Sequence, residues 1–285
     1  MGASMSNSHY SFDRAAHSDF LVHWTGRDID SYGDHNWCDR DHKSITSQSE
    51  CAKYVKRLKD ILTYGLWMTE EDARTYFVGS KKVTIPPSPQ CCFTELKLSE
   101  ARRHAARYGR LGIGVKRPFL FNRFGRPMIY FGFDASATND KFLSACLADI
   151  TEKSLLNYFK PMNSNIKMLN YDFYSESEWR IILFNELIDK GYIKDPSDHR
   201  NKKEFEYYKG LSDQEKSKLK YLLPLDHWFS LIIYPSVDVK VMCQEGNGEY
   251  ISNQIKRIKS ERGASGSTLG GGWPIELDLD ACRNF

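Results

Sequence analysis

No stretch of the 285-residue sequence approaches the roughly 20 consecutive apolar residues that a membrane-spanning helix needs, so a soluble protein is expected. An excess of one charge is also missing. Lys and Arg total 40 against 37 Asp and Glu, a formal net charge of +3, and no overall field demands a polyanionic partner. The cysteines Cys38, Cys51, Cys91, Cys92, Cys146, Cys243 and Cys282 are odd in number and lack metal-ligand spacing. With no secretory leader ahead of them, reduced thiols in a cytoplasm are the expected state. Gly112 and Gly114 lack the third glycine and the following helix of a dinucleotide fingerprint. No acidic set is spaced for a two-metal nuclease, and no internal repeat is present.

What the chain does contain is core-forming material, with 41% hydrophobic and 13% aromatic residues. Residues 1–4 ahead of Met5 read as an expression remnant, and 5–19 as a polar arm. A single domain is expected over 20–262, with a flexible Gly- and Ser-rich tail over 263–285. Phe20 to Gly26 predicts a strand, and 27–49 a polar loop over a site. Tyr54, Leu58, Ile61 and Leu62 form the apolar stripe of a helix that Gly65 ends. Short β elements are expected at Thr75 to Val78, Cys91 to Glu95, Leu111 to Lys116 and Pro127 to Phe133, with a helix capped by Ser99 between the second and third. The glycines at 112 and 114 predict close approach of another backbone or a ligand. Apolar spacing over 139–160 predicts a long helix, and Ser212 with Glu215 opens another. Leu231 to Pro235 reads as a buried strand, Val237 to Met242 as strand or edge, and Glu249 to Arg262 as the last helix.

The stretch with the most chemistry is Tyr174-Ser175-Glu176-Ser177-Glu178-Trp179-Arg180, which enters the apolar run Ile181 to Phe184. On a strand, residues two apart share a face, which would project Glu176 and Glu178 into one cleft. Alone, such a pair is more simply a charged, exposed edge. His23, at a strand end, is alone more simply a structural hydrogen-bonder than a ligand.

Three β-borne pieces, His23-Trp24-Thr25-Gly26, Phe93-Thr94-Glu95 and Glu176-Ser177-Glu178, occur in the order that resembles the three-part signature of ADP-ribosyltransferases. Together with Leu58 to Leu66, Cys92 to Leu98 and Tyr108 to Lys116, the chain resembles more narrowly the AbiGi-type abortive phage-infection proteins, with a distant likeness to DarT-type enzymes. The resemblance implies an α+β fold, an ADP-ribosyltransferase-like split β-sandwich with surrounding helices, holding NAD as substrate between two small sheets and using no metal. It implies that His23, Trp24, Thr25 and Gly26 bind NAD, that Phe93 or Tyr108 stacks on nicotinamide, and that Thr94 supports Glu178. Glu178 would stabilise the oxocarbenium charge that develops when the glycosidic bond breaks, and Glu176 would orient or deprotonate the acceptor.

The expectation is therefore a cytoplasmic phage-defence toxin that transfers ADP-ribose to a macromolecule and is held by a cognate antitoxin. RNA or DNA is favoured over protein as acceptor, because Arg102, Arg103, Arg107, Arg110 and Lys116 fall near the expected cleft. The same family is also labelled as an antitoxin, which leaves a noncatalytic antitoxin or interaction module as the alternative. An NAD glycohydrolase is the third reading.

Overall fold

A computed structural model describes residues 20–29, 47–78, 81–95, 98–131, 150–161, 163–166, 169–260 and 272–284. The polar arm, most of the loop expected over 27–49, and residues 139–149 of the long helix expected at 139–160 lie outside these residues. Among the described residues no helix is long and apolar enough to cross a membrane.

In chain order the elements are β1 (Phe20–Thr25), α1 (Gln48–Tyr64), β2 (Leu66–Glu70), β3 (Arg74–Val78), β4 (Lys81–Ile85), β5 (Pro89–Thr94), α2 (Ala101–Tyr108) and β6 (Leu111–Lys116). Next come α3 (Arg117–Phe121), β7 (Arg126–Pro127), β8 (Ile129–Phe131), β9 (Phe159–Pro161), β10 (Asn163–Ile166), β11 (Leu169–Asp172) and β12 (Glu178–Ile182). The chain continues through α4 (Asn185–Asp189), α5 (Lys202–Lys209), α6 (Asp213–Lys218), β13 (Tyr221–Leu223), β14 (Phe229–Tyr234), α7 (Val237–Glu245), α8 (Gly248–Ser260) and β15 (Ile275–Asp278). The result is a mixed α and β architecture built on one large sheet, ordered β13-β2-β5-β1-β6-β14-β15, with β12 added to β5 and β7 to β12. It is not a closed barrel.

The sheet divides at β5. One edge of this strand is taken along its length by β12, from Gln90 opposite Ile182 to Thr94 opposite Glu178. Its other edge meets β2 only at Pro89 and Gln90, and β1 only at Thr94. Between those contacts β1 and β2 part, and a gap opens in the sheet.

Each face of the sheet carries a core. Helix α1 lays Tyr54, Leu58, Ile61 and Leu62 on one face, where they join Leu21, Phe93, Ile113 and Ile232. Val22 and Trp24 face the other way and pack with Ala101, Ala105, Leu231 and Ile233. The alternation along β1 thus follows the strand period of two. At Gly114 a Cβ would lie 2.5 Å from the Leu231 Cβ, so the close approach expected of this glycine-bearing strand is met by β14.

Four local expectations need correction. Val237 to Met242 is helical: Ser236 accepts the Val239 N–H as an N-cap, and this outweighs the alternating valines that suggest a strand. The helix expected at 139–160 is absent from its described part, where 153–158 form a 3-10 turn and Phe159–Pro161 pair with β8. The strand expected over Pro127 to Phe133 is split into β7, paired with β12, and β8, paired with β9. The tail expected to be flexible over 263–285 contributes β15, which pairs in parallel with β14 while Leu279 and Cys282 are buried.

Candidate functional site

The gap between β1 and β2 holds a cavity of about 910 Å3, lined by His23 to Asp28, Arg57, Trp67, Gln90 to Cys92 and Tyr108 among others. The parting of the strands leaves the Cys92 carbonyl without a ladder donor on that side, and the His23 imidazole takes its place, Nδ1 donating at 2.8 Å. Gly26 turns the chain at the cavity wall with φ +99°, where a Cβ would lie 2.3 Å from the Tyr54 ring. Its carbonyl accepts the Tyr54 hydroxyl at 3.1 Å. At the mouth, Arg57 donates to Thr25 Oγ1 at 3.1 Å and to Asp28 Oδ2 at 2.7 Å, with its guanidinium over the Trp67 ring. Burial, opposed by the Cys92 hydrogen bond and assisted by Arg57, lowers the His23 pKa and keeps the ring neutral. Burial likewise pushes the Cys92 thiol well up.

Of the residues expected in one site, His23, Trp24, Thr25, Gly26 and Tyr108 line this cavity. Trp24 turns its indole into the core on the far face of the sheet, leaving its backbone at the wall. Phe93 is not a stacking surface: it is 1% exposed within the main core, its ring against those of His23 and Phe119. Thr94 is buried directly opposite Glu178 in the β5–β12 ladder.

The two glutamates stand apart from the cavity lining. They are not two positions of one strand, because Glu176 closes a 3-10 turn, Ser177 takes a left-handed φ of 45°, and β12 begins only at Glu178. The turn still brings both carboxylates together, but inside the protein, at 2% and 6% exposure. Lys160 Nζ lies 2.7 Å from Glu176 Oε2 and 2.6 Å from Glu178 Oε2. Arg180 Nε donates to Glu178 Oε1 at 2.5 Å, and the same guanidinium reaches Gln90 Oε1 and the Asn157 carbonyl. Glu176 also accepts the Tyr108 hydroxyl and has Arg107 at 3.3 Å. The expectation that both carboxylates project into an open cleft is corrected accordingly. Burial alone would raise the Glu178 pKa, but Arg180 and Lys160 outweigh it and hold the carboxyl well below the usual range. Glu178 in turn holds the Arg180 pKa up against burial.

Tyr108 joins the two regions, forming part of the cavity wall while its hydroxyl binds Glu176. Lys160 was not legible as a site residue. The available signal is a lone lysine between Phe159 and Pro161, amid the buried Leu156 and Tyr158. The arginines of α2 do not form one open basic face either. Arg107 is committed to Glu176, Arg103 donates to Ser175 Oγ at 3.3 Å, and the neighbouring Arg110 is buried.

Residues 66–223, more than half of the chain, match a protein-family model described as "Putative abortive phage resistance protein AbiGi, antitoxin". The match holds β5, Lys160 and the Glu176 to Arg180 stretch, and begins after His23 to Gly26. No curated protein matches the chain, and no solved structure does. The likeness to DarT-type enzymes therefore gains no support. The family description overturns the expected role as a toxin that transfers ADP-ribose to nucleic acid: the described role is that of the antitoxin.

Proposed function

From the premise that the chain belongs to the AbiGi family, we propose that it is a noncatalytic antitoxin of an abortive-infection toxin–antitoxin system, whose partner is a cognate toxin protein. The antitoxin description of the family carries this reading. The buried glutamates support it. A carboxylate that is to stabilise a developing oxocarbenium must present uncompensated negative charge to the substrate. Glu178 is instead occupied by Lys160 and Arg180, and Glu176 by Lys160, Arg107 and Tyr108. The opening of the sheet at β5 supports a split α+β scaffold of the ADP-ribosyltransferase kind, retained as a framework in which the acidic stretch has a structural task.

Expression of this protein alone is expected to leave growth unaffected, and co-expression with its cognate toxin to restore growth and yield a complex that purifies together. In the same assay Glu178→Gln is expected to reduce protection only as far as it reduces the amount of folded protein. Growth arrest by this protein alone, together with consumption of NAD by the purified chain that Glu178→Gln abolishes, overturns the reading.

A further inference from the structure

We propose that the outer edge of β15 is a docking site for an extended segment of a partner protein that alternates basic and apolar side chains and joins the large sheet as its next strand. Strand β15 stands at one end of the sheet order, and among the described residues it pairs with β14 alone. Such an edge leaves backbone N–H and C=O groups for an incoming strand. The surface beside it is apolar. Trp273 and Ile275, at the start of the strand, and Val237 and Val241, on α7, are between 39% and 50% exposed. Val237, Lys240, Val241 and Gln244 form one stripe of α7. Contacts from that stripe place it along β15: the Lys240 ammonium donates to the Glu276 carbonyl at 3.4 Å, and Gln244 Nε2 to Glu276 Oε2 at 3.3 Å.

Charge selects the occupant. The Glu276 carboxylate accepts from Trp273 Nε1 at 3.0 Å, from the Tyr234 hydroxyl at 3.0 Å and from Gln244, all neutral donors, and among the described residues no ion pair reaches it. Residues 263–282 carry Glu276, Asp278 and Asp280 and no lysine or arginine, in a chain whose net charge is +3. A lysine or arginine on an added strand can set its charge at Glu276 while its stem lies on Val237, Val241 and the Trp273 ring. Alternate residues turn to the other face, where Ile275 is exposed and Leu277 packs on the core formed by Val22, Leu231 and Ile233. The same charge disfavours nucleic acid, an anionic membrane and a second copy of this edge, which would oppose acid to acid. The edge lies beyond the residues 66–223 matched to the family. That the partner is the toxin rests on the antitoxin reading, whereas the edge and its charge do not.

Titration of the isotope-labelled full chain with the peptides Lys-Val-Lys-Val-Lys-Val and Glu-Val-Glu-Val-Glu-Val, followed by NMR of the outward amides of β15, tests the edge without any toxin. The lysine peptide is expected to shift these amides and the glutamate peptide to leave them in place. Glu276→Gln keeps an acceptor for Tyr234 and Trp273 and is expected to weaken lysine-peptide binding about threefold. Val241→Lys, which adds a like charge at an exposed position, is expected to weaken it at least as much. In a complex with the cognate toxin the same amides are expected to become protected from hydrogen exchange. Outward amides already protected in the free chain, equal binding of the two peptides, or no shift with either overturns the proposal. A toxin complex in which these amides still exchange freely overturns it as well. Failure of the toxin to bind at all overturns the antitoxin reading instead, and the peptide titration still decides the edge.

Discussion

The Lys160 ammonium bridges Glu178, at 2.6 Å, to Glu176, at 2.7 Å, so one buried cation joins two carboxylates delivered by different elements, each of which has an arginine as well, Arg180 on Glu178 and Arg107 on Glu176. Lys160→Met removes the cation between those carboxylates and leaves Glu178 with Arg180 and Glu176 with Arg107 and Tyr108, away from water. Removing one partner of a buried ion pair costs about 3 to 5 kcal/mol, and a loss of that size is expected in urea unfolding of this variant. Glu178→Gln is expected to cost a similar amount, because Lys160 keeps Glu176 but the buried Arg180 guanidinium loses its close carboxylate and retains only the half-exposed Glu71 at 3.9 Å. Equal stability of both variants and the parent would show that the cluster is not structural.

The same cluster sets a limit toward acid. The Glu178 pKa is depressed in the folded protein, so its contribution is complete above the ordinary carboxylate value near 4.5 and is lost as pH falls below it toward the folded value. The parent chain is therefore expected to lose stability steeply below about pH 4.5. Urea midpoints for Glu178→Gln are expected to fall less over that interval, and parallel curves for the two proteins would contradict the linkage.

His104 acts in a higher window. Burial lowers its pKa to about 4 from 6.5, opposed by Glu176 and assisted by Arg103, Arg107 and Lys160. The unfolded chain then binds the proton more readily than the folded one, so stability declines as pH drops from about 6.5 to about 4 and levels off below. A shift of this size corresponds to an upper limit of about 3 kcal/mol. His23 is shifted in the same direction and adds to the slope. Replacing His104 with Phe is expected to flatten, but not abolish, the dependence of the urea midpoint on pH in that window.

The two glycines of β6 make a paired test of packing. A Cβ on Gly114 would lie 2.5 Å from the Leu231 Cβ, a contact no rotamer change relieves, whereas a Cβ on Gly112 meets its nearest side-chain atoms at 3.1 Å. Overpacking a filled core costs about 1 to 3 kcal/mol, so Gly114→Ala is expected near or above the top of that range and Gly112→Ala near the bottom. Thermal unfolding of the two variants gives the ranking directly, and a reversed order would refute the register between β6 and β14.

Much of the frame was legible where local pattern and tertiary demand coincide. The stripe of α1, the capping box at Ser212 and the buried run of β14 each carry their own signal in a few neighbouring residues. His23 to Gly26 were legible as a strand end closed by a glycine turn, and β1 does run to Thr25 with Gly26 at φ +99°. The acidic stretch was misjudged in its surroundings. Its partners, Lys160, Arg107 and Tyr108, come from other parts of the chain, and nothing in Glu176-Ser177-Glu178 itself distinguishes a carboxylate aimed at a ligand from one neutralised inside the protein. The left-handed turn at Ser177 was equally hidden, since serine carries no strong preference for positive φ.

A second buried pair, between Arg123 and Asp226, tests whether geometry or charge alone secures the turn after α3. Arg123 Nη1 donates to Asp226 Oδ2 at 3.0 Å and to the Phe119 carbonyl at 3.1 Å, and Nη2 donates to the Pro224 carbonyl at 3.3 Å. The guanidinium lies 3.8 Å from the Phe119 ring centroid and 4.9 Å from that of Tyr192. Lysine preserves the charge but offers one ammonium in place of a planar fork, and it cannot reach these carbonyls and the carboxylate while stacking on a ring. Arg123→Lys is accordingly expected to cost about 2 kcal/mol, in keeping with buried hydrogen bonds left unmade. For comparison, the exposed pair Lys209–Glu206 at 3.0 Å should be nearly neutral to removal, within about 0.5 kcal/mol, because water already solvates both partners. If Arg123→Lys unfolds at the same urea concentration as the parent, the charge of residue 123 suffices and its planar geometry is dispensable.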